Sequence, residues 1–183
     1  MTWQHAPDVR RFVEDALDAA RISREPGWSA IEFGGYVMHD HDARPAATAR
    51  GCSRYVGVDW RAGPGVDLVC LNSEAPARLG DERFDLALSI SALEHDPEWR
   101  ETLGAMVAVL RPGGLVAVTV PSGAWPPHEI ECAPLGGTHY RNLSVEEVVD
   151  ALSATGLVSR IRRASDDPSV SGRRRANVLA ARD

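Results

Sequence analysis

Short, nearly apolar runs recur along this chain, and helical spacing or turn chemistry separates most of them. Trp28–Phe33, Arg54–Val58, Asp67–Cys70, Phe84–Ile90 and Leu115–Val120 read as strands. Ala6–Ser23 reads as a helix, with Phe12, Val13, Ala16, Leu17 and Ala20 at helical spacing. Ala92–Leu110 reads as a second helix, with Leu103, Met106, Val107 and Leu110 on one stripe and Pro97 accommodated in its first turn. An alanine-rich stretch from Ala43 predicts a short helix, and Ser73–Leu79 a helical turn or two. Ser144 and Glu147 form a capping-box pair that opens a helix to Thr155, and Gly156 closes it. Leu157–Arg163 and Ala176–Ala181 end the chain as an antiparallel strand pair around a turn-rich Ser165–Gly172. Strands that alternate with helices imply a mostly parallel sheet covered on both faces.

The chain has 183 residues and 19.8 kDa, which predicts a single domain over 1–183 with no separate substrate domain. All 20 basic residues are arginine, which excludes a Schiff-base lysine, a P-loop lysine and a kinase-type lysine. Against 26 acids they leave a net charge of −6, without the basic footprint of a nucleic-acid binder. The three cysteines, Cys52, Cys70 and Cys132, form no CxxC pair and no disulfide framework, which fits a reducing cytoplasm. The N-terminus has no apolar signal region, and no apolar run approaches the ~20 residues that span a bilayer. A cytoplasmic protein without a membrane partner is expected.

In open α/β sheets, ligands bind outside the carboxyl ends of the strands. Here those ends carry Glu32-Phe33-Gly34-Gly35, Asp59-Trp60 and Ser89-Ile90-Ser91, the last followed by Leu93-Glu94-His95. Gly34 and Gly35 permit a sharp turn and a close backbone approach to a ligand. A larger side chain at Gly34 is therefore expected to block the ligand while sparing the fold. Asp59 has the place of the acid that accepts hydrogen bonds from a ribose diol, and Trp60 offers a flat face to a purine. The bland readings are a solvated turn acid for Asp59, a core-edge cap for Trp60 and an ordinary strand-ending turn for the glycines.

Five motifs in order carry a family likeness: Ile31-Glu32-Phe33-Gly34-Gly35, Tyr55-Val56-Gly57-Val58-Asp59, Phe84-Asp85-Leu86-Ala87-Leu88-Ser89, Ala92-Leu93-Glu94-His95 and Leu110-Arg111-Pro112-Gly113-Gly114-Leu115. In this order they resemble the class I S-adenosylmethionine-dependent methyltransferases. The resemblance implies a three-layer α/β Rossmann-like sandwich with a mostly parallel seven-stranded sheet, strand order 3-2-1-4-5-7-6 and an antiparallel seventh strand. It implies S-adenosylmethionine as cofactor. Glu32, Gly34 and Gly35 would lie at its methionine end, Asp59 at the ribose, Trp60, Leu71 and Asn72 at the adenine, and Ser89 and Ile90 beneath the methionine. The glycine-rich loop departs from the family pattern: Tyr36 stands where a side chain is normally missing, so the loop must follow another path.

The implied reaction is methyl transfer to a small-molecule acceptor, with acceptor specificity drawn from the N-terminal helix, the 121–142 loop or a second copy of the chain in a homodimer. His95, His128, His139 and Tyr140 are the candidate catalytic bases or orienting groups. The loop from Pro121 to Asn142 runs to about 22 residues, beyond the ~15 at which loops are usually functional or disordered; a lid is one reading and a flexible excursion the other. His39-Asp40-His41-Asp42 reads as a polar loop rather than a metal site, since a structural zinc site shows four well-spaced ligands. Arg160, Arg162, Arg163, Arg173, Arg174 and Arg175 read as a solvated basic face. Two other classes stay open: a methyltransferase-like scaffold with an altered glycine loop that binds a ligand or a partner without methylating, and a nicotinamide-dependent oxidoreductase. The latter lacks Gly-x-Gly-x-x-Gly at the first turn.

Overall fold

The computed structural model describes residues 7–23, 27–38, 42–128, 130–131, 134–168 and 173–183. Seven strands form one sheet: β1 (Ser29–Phe33), β2 (Arg54–Asp59), β3 (Leu68–Val69), β4 (Phe84–Ile90), β5 (Leu110–Ser122), β6 (Val158–Pro168) and β7 (Arg174–Arg182). Their spatial order is 3-2-1-4-5-7-6. β1 to β5 pair in parallel, and β7 runs antiparallel between β5 and β6. This is the α/β sandwich expected from the alternation and the motifs.

Period-two alternation divides the strand side chains between two cores. Leu86, Leu88, Leu115, Ala117 and Leu179 face α1 (Pro7–Ser23) and α2 (Arg44–Ala49), where Phe12, Val13, Ala16 and Leu17 are fully buried. Ala87, Val116, Val118, Val178 and Ala180 face the opposite layer of α3 (Ala75–Leu79), α4 (Trp99–Ala108) and α5 (Val145–Ala154). α5 begins with the expected capping box, Ser144 Oγ accepting from Glu147 N and the Glu147 carboxylate accepting from Ser144 N. At the foot of the sheet, buried Asp85 accepts from Ser29 N and Oγ and pairs with Arg111 at 2.9 Å, tying the start of β1 to the start of β5.

Several boundaries differ from expectation. The helix read over Ala92–Leu110 is a short 3₁₀ turn at Leu93–His95, a break, and then α4. The break is Asp96-Pro97: a residue before proline avoids the helical region, and Asp96 is extended at φ −101°, ψ 109°. Its carboxylate accepts from Glu98 N and Thr102 Oγ1 instead, anchoring the true helix start. Leu110, placed on the helix stripe, pairs with Phe84 as the first residue of β5, and the register then shifts so that Leu115 faces Leu86. The 121–142 loop contains a small antiparallel ladder, Ile130–Glu131 against Thr138–His139. β6 runs on to Pro168, well into the stretch read as a turn. His39, Asp40 and His41, three of the four residues weighed as a metal cluster, lie outside the described residues, as does Cys132. Among the described residues no group of three or more metal-ligating side chains occurs, and no helix is long and apolar enough to cross a membrane.

Candidate active site

A cavity of about 280 Å³ opens at the carboxyl ends of β1, β2 and β4. The parallel order places it there: β1 and β4 are neighbours whose connections leave in opposite directions, opening a crevice above their ends. Of the residues expected to touch cofactor, Glu32, Gly34, Asp59, Trp60, Leu71, Asn72 and Ile90 line it. Ser89 is fully buried within β4 and is not part of the wall; its neighbour Ser91 is.

The turn after β1 shows why its two glycines differ. Gly34 has φ +78°, and a Cβ built on it would stand 2.2 Å from Ala92 Cβ. The steric limit there is set by the protein itself as well as by any ligand. Gly35 is spent on packing: its Cβ position is 2.9 Å from Gly57 Cα, while a Cβ on Gly57 would meet Gly65 O at 1.8 Å. Gly35 after β1, Gly57 within β2 and Gly65 in the turn that follows it thus pack backbone against backbone behind the site. Tyr36 does not close the cavity. Its ring lies against Gly63 and under the Arg61 guanidinium, 4.3 Å from the ring centroid, and forms part of the wall.

Three buried carboxylates face this space. Glu32 accepts a short hydrogen bond from Tyr55 Oη at 2.5 Å, and burial pushes its carboxyl up to about 7. Asp59 Oδ1 accepts from Arg61 N at 2.9 Å, with Arg61 Nε at 3.7 Å; burial raises its carboxyl above the usual range against these contacts. Glu94 is 1 % exposed, its Oε2 has no partner, and burial pushes it up to about 7. Motif order pointed to Glu94-His95 but assigned no role to Glu94, which sits in the 3₁₀ turn with Arg141 N donating to its carbonyl. Because its folded pKa is raised, Glu94 contributes stability that is complete below its ordinary value of 4.5 and is lost as pH rises towards 7. The stability of the wild type relative to Glu94→Gln, measured by denaturation, is expected to fall across that window. A constant or widening difference would place an ionised Glu94 in the native state.

The four candidate catalytic groups gather at one end. His95 Nδ1–H donates to the His139 carbonyl at 3.2 Å, so the neutral ring carries its lone pair on Nε2. Burial lowers the His95 pKa, which favours that neutral form. The His128 ring is edge-on to His95 at 5.1 Å, and Tyr140 lies 5.4 Å from His95 and 4.3 Å from His128. His95 and His128 line the cavity; His139 and Tyr140 stand behind them. Tyr140 donates to Asn142 Oδ1, and burial pushes its phenol up to about 12, so it remains protonated. Asn142 Nδ2 donates to the Gly123 and Trp125 carbonyls, tying together the two ends of the 121–142 segment, and Trp125 and Leu135 stand in the wall.

One wall residue departs from its sequence reading. Arg175, placed on a solvated basic face, is 7 % exposed and lines the cavity. β7 runs antiparallel to its neighbours, so its first residues arrive at the carboxyl ends of the parallel strands, and Arg175 pairs with Pro121. That topology was itself expected, and it is the signal that places Arg175 at the rim.

Residues 32–118 match the family profile described as Methyltransferase domain. Among solved structures, the chain is similar to a 1,6-didemethyltoxoflavin-N1-methyltransferase from Burkholderia thailandensis, at TM-score 0.67 and 20% identity over 93% of this chain and 78% of that one. The cyclase SpnF follows at TM-score 0.64 and 16% identity, over 92% and 81%. A magnesium protoporphyrin IX methyltransferase from Synechocystis gives 0.61 and 14%, over 96% and 86%. No curated protein matches the chain by sequence. Residues 32–118, just under half of the chain, match the methyltransferase domain profile, and the chain as a whole has the three-layer Rossmann-like fold of the solved methyltransferases it is similar to.

Proposed function

We propose that this protein is a single-domain methyltransferase that moves the methyl group of S-adenosylmethionine to a small-molecule acceptor in the cytoplasm. The observation that carries the reading is the cavity itself, where a carboxylate ends β2, a side-chain-free turn ends β1 and an imidazole lies at the far end. The residues fit the cofactor. Asp59 would hold the ribose hydroxyls, and Trp60 and Leu71 would enclose the adenine. Asn72 supports this, since its buried Oδ1 has no partner and is a ready acceptor for an amino group. Glu32 and the Gly34 backbone would take the methionine end. Glu32, balanced near pH 7, becomes a full anion beside an ammonium group.

When bound, the cofactor supplies an electrophilic methyl on a positively charged sulfur. The chain's part is alignment and proton removal. His95 Nε2 is the base for the acceptor's proton, and the His139 carbonyl fixes the tautomer. His128 and the protonated Tyr140 orient the His95 ring and exclude water. No strong cation is needed at the sulfur, because its charge disappears as the methyl leaves.

Calorimetry of the full chain with S-adenosylhomocysteine and with NAD tests this reading. Stoichiometric binding of the first and none of the second is expected, and failure to bind S-adenosylhomocysteine would refute it. One observation favours a second reading: Gly35 is consumed in packing and Tyr36 and Met38 join the cavity wall, so the site departs from the usual loop. On that reading the protein binds the cofactor but does not methylate. Transfer of a labelled methyl group to any acceptor in a small-molecule extract would exclude it.

A further inference from the structure

Among the described residues, Arg175 is a buried cation with no counter-ion in contact. Its Nη1 donates to Ser91 Oγ at 2.7 Å, and its Nε is buried with no partner. Glu94 and Asp8 are acids near enough to be felt, yet among the described residues neither is in hydrogen-bond or ion-pair contact with it. Its guanidinium lies 5.1 Å from the Trp125 ring centroid, and that indole is held in turn by its Nε1–H donating to the Arg174 carbonyl. Ser91, which positions the guanidinium, is a non-glycine residue at φ +50°. Backbone held in that region clusters at ligand sites, where the surrounding structure enforces it. A desolvated charge with no partner is costly to a fold, and this one faces a cavity. Close by, Glu94 Oε2 is a second buried polar atom left unpartnered in the same wall.

We propose that Arg175 is the acceptor-binding residue and that the acceptor is a small carboxylic acid, its carboxylate held on the Nε–Nη2 edge of Arg175 beside Trp125. This rests on the reading of the cavity as a methyl-transfer site. The chemistry favours a carboxylate because Nη1 is engaged by Ser91, leaving one side edge of the fork, and a planar carboxylate matches that edge with two parallel hydrogen bonds. The ring surfaces of Trp125, His128 and His95 give the acceptor flat walls on this side of the cavity. A cavity of about 280 Å³, shared with a cofactor, restricts the acceptor to a small molecule.

The test uses benzoate, benzamide and phenyl phosphate as probes of the full chain, with and without saturating S-adenosylhomocysteine. Wild type, Arg175→Met and Arg175→Lys are compared by calorimetry and thermal melting. Benzoate is expected to bind wild type and raise its Tm, to lose at least tenfold in affinity in Arg175→Met and to fall between in Arg175→Lys. Benzamide should bind no variant better than another. Without probe, Arg175→Met should melt at or above the wild-type temperature, because an uncompensated charge has been removed; a lower Tm would make Arg175 structural and overturn the proposal. Benzoate that fails to bind, or binds Arg175→Met equally well, overturns it too, and tighter binding of phenyl phosphate replaces the carboxylate with a phosphate ester. Binding of S-adenosylhomocysteine is the separate arm: its loss in wild type defeats the methyl-transfer reading, whereas its retention alongside a failed benzoate arm defeats only the role of Arg175.

Discussion

Gly34→Val is expected to destabilise the protein by about 2–6 kcal/mol and to abolish cofactor binding. Two independent effects add. The backbone at φ +78° is a conformation that a β-branched residue adopts only under strain, at about 1–3 kcal/mol. The new Cβ would also stand 2.2 Å from Ala92 Cβ, and overpacking of this kind costs about 1–3 kcal/mol. The two are separable. Gly34→Ala combined with Ala92→Gly removes the contact but keeps the strain, so denaturant unfolding should show it recovering only part of the loss of Gly34→Ala alone. A Gly34→Val protein with wild-type stability would mean that the turn between β1 and the site has another shape. The sequence reading expected a blocked ligand and an intact fold; the difference is Ala92, whose approach from the β4 side depends on tertiary packing.

Asp59→Ala is expected to weaken S-adenosylhomocysteine by about 1.5–3 kcal/mol, roughly 10- to 150-fold, the loss typical of hydrogen bonds to a charged acceptor. The carboxylate closes β2, is 6 % exposed, and is already steadied by Arg61 N on Oδ1. A side chain held in place in this way gives its ligand bonds little entropic penalty. Asp59→Asn keeps the shape and one acceptor, so it should fall between wild type and alanine. Calorimetry on the three proteins reads the series, and an alanine variant with undiminished affinity would move the nucleoside away from β2. Substitution at Glu32 makes a useful contrast, because there the Tyr55 hydroxyl would lose its acceptor and the effect would mix binding with stability.

The alternation of strands and helices, and the strand ends that bring Glu32, Gly34, Asp59 and Trp60 to one rim, were legible in the amino-acid sequence as local patterns; the strand order and the place of Asn72 were expected only from the resemblance to the methyltransferases. Apolar runs of strand length, a proline-glycine stop and an acid just past a strand each act over a few residues, and the direction of parallel strands then brings their ends together. Readings failed where a distant partner decided the outcome, or where one local rule overrode another. Leu110 has helical spacing, yet Phe84 claims it for β5. Pro97 suits a first helical turn, yet it forces Asp96 out of the helix, and the start moves to Trp99. Arg175 sits in a run of three arginines that looks solvated. Only the pairing of β7 with β5 reverses its direction and buries that one guanidinium, together with Glu94, at the mouth of the site. The chain's own order therefore determined which residues could hold a nucleoside. The packing of segments far apart in that order decided which charges were stripped of water, because burial belongs to the assembled sheet and to no single stretch of it.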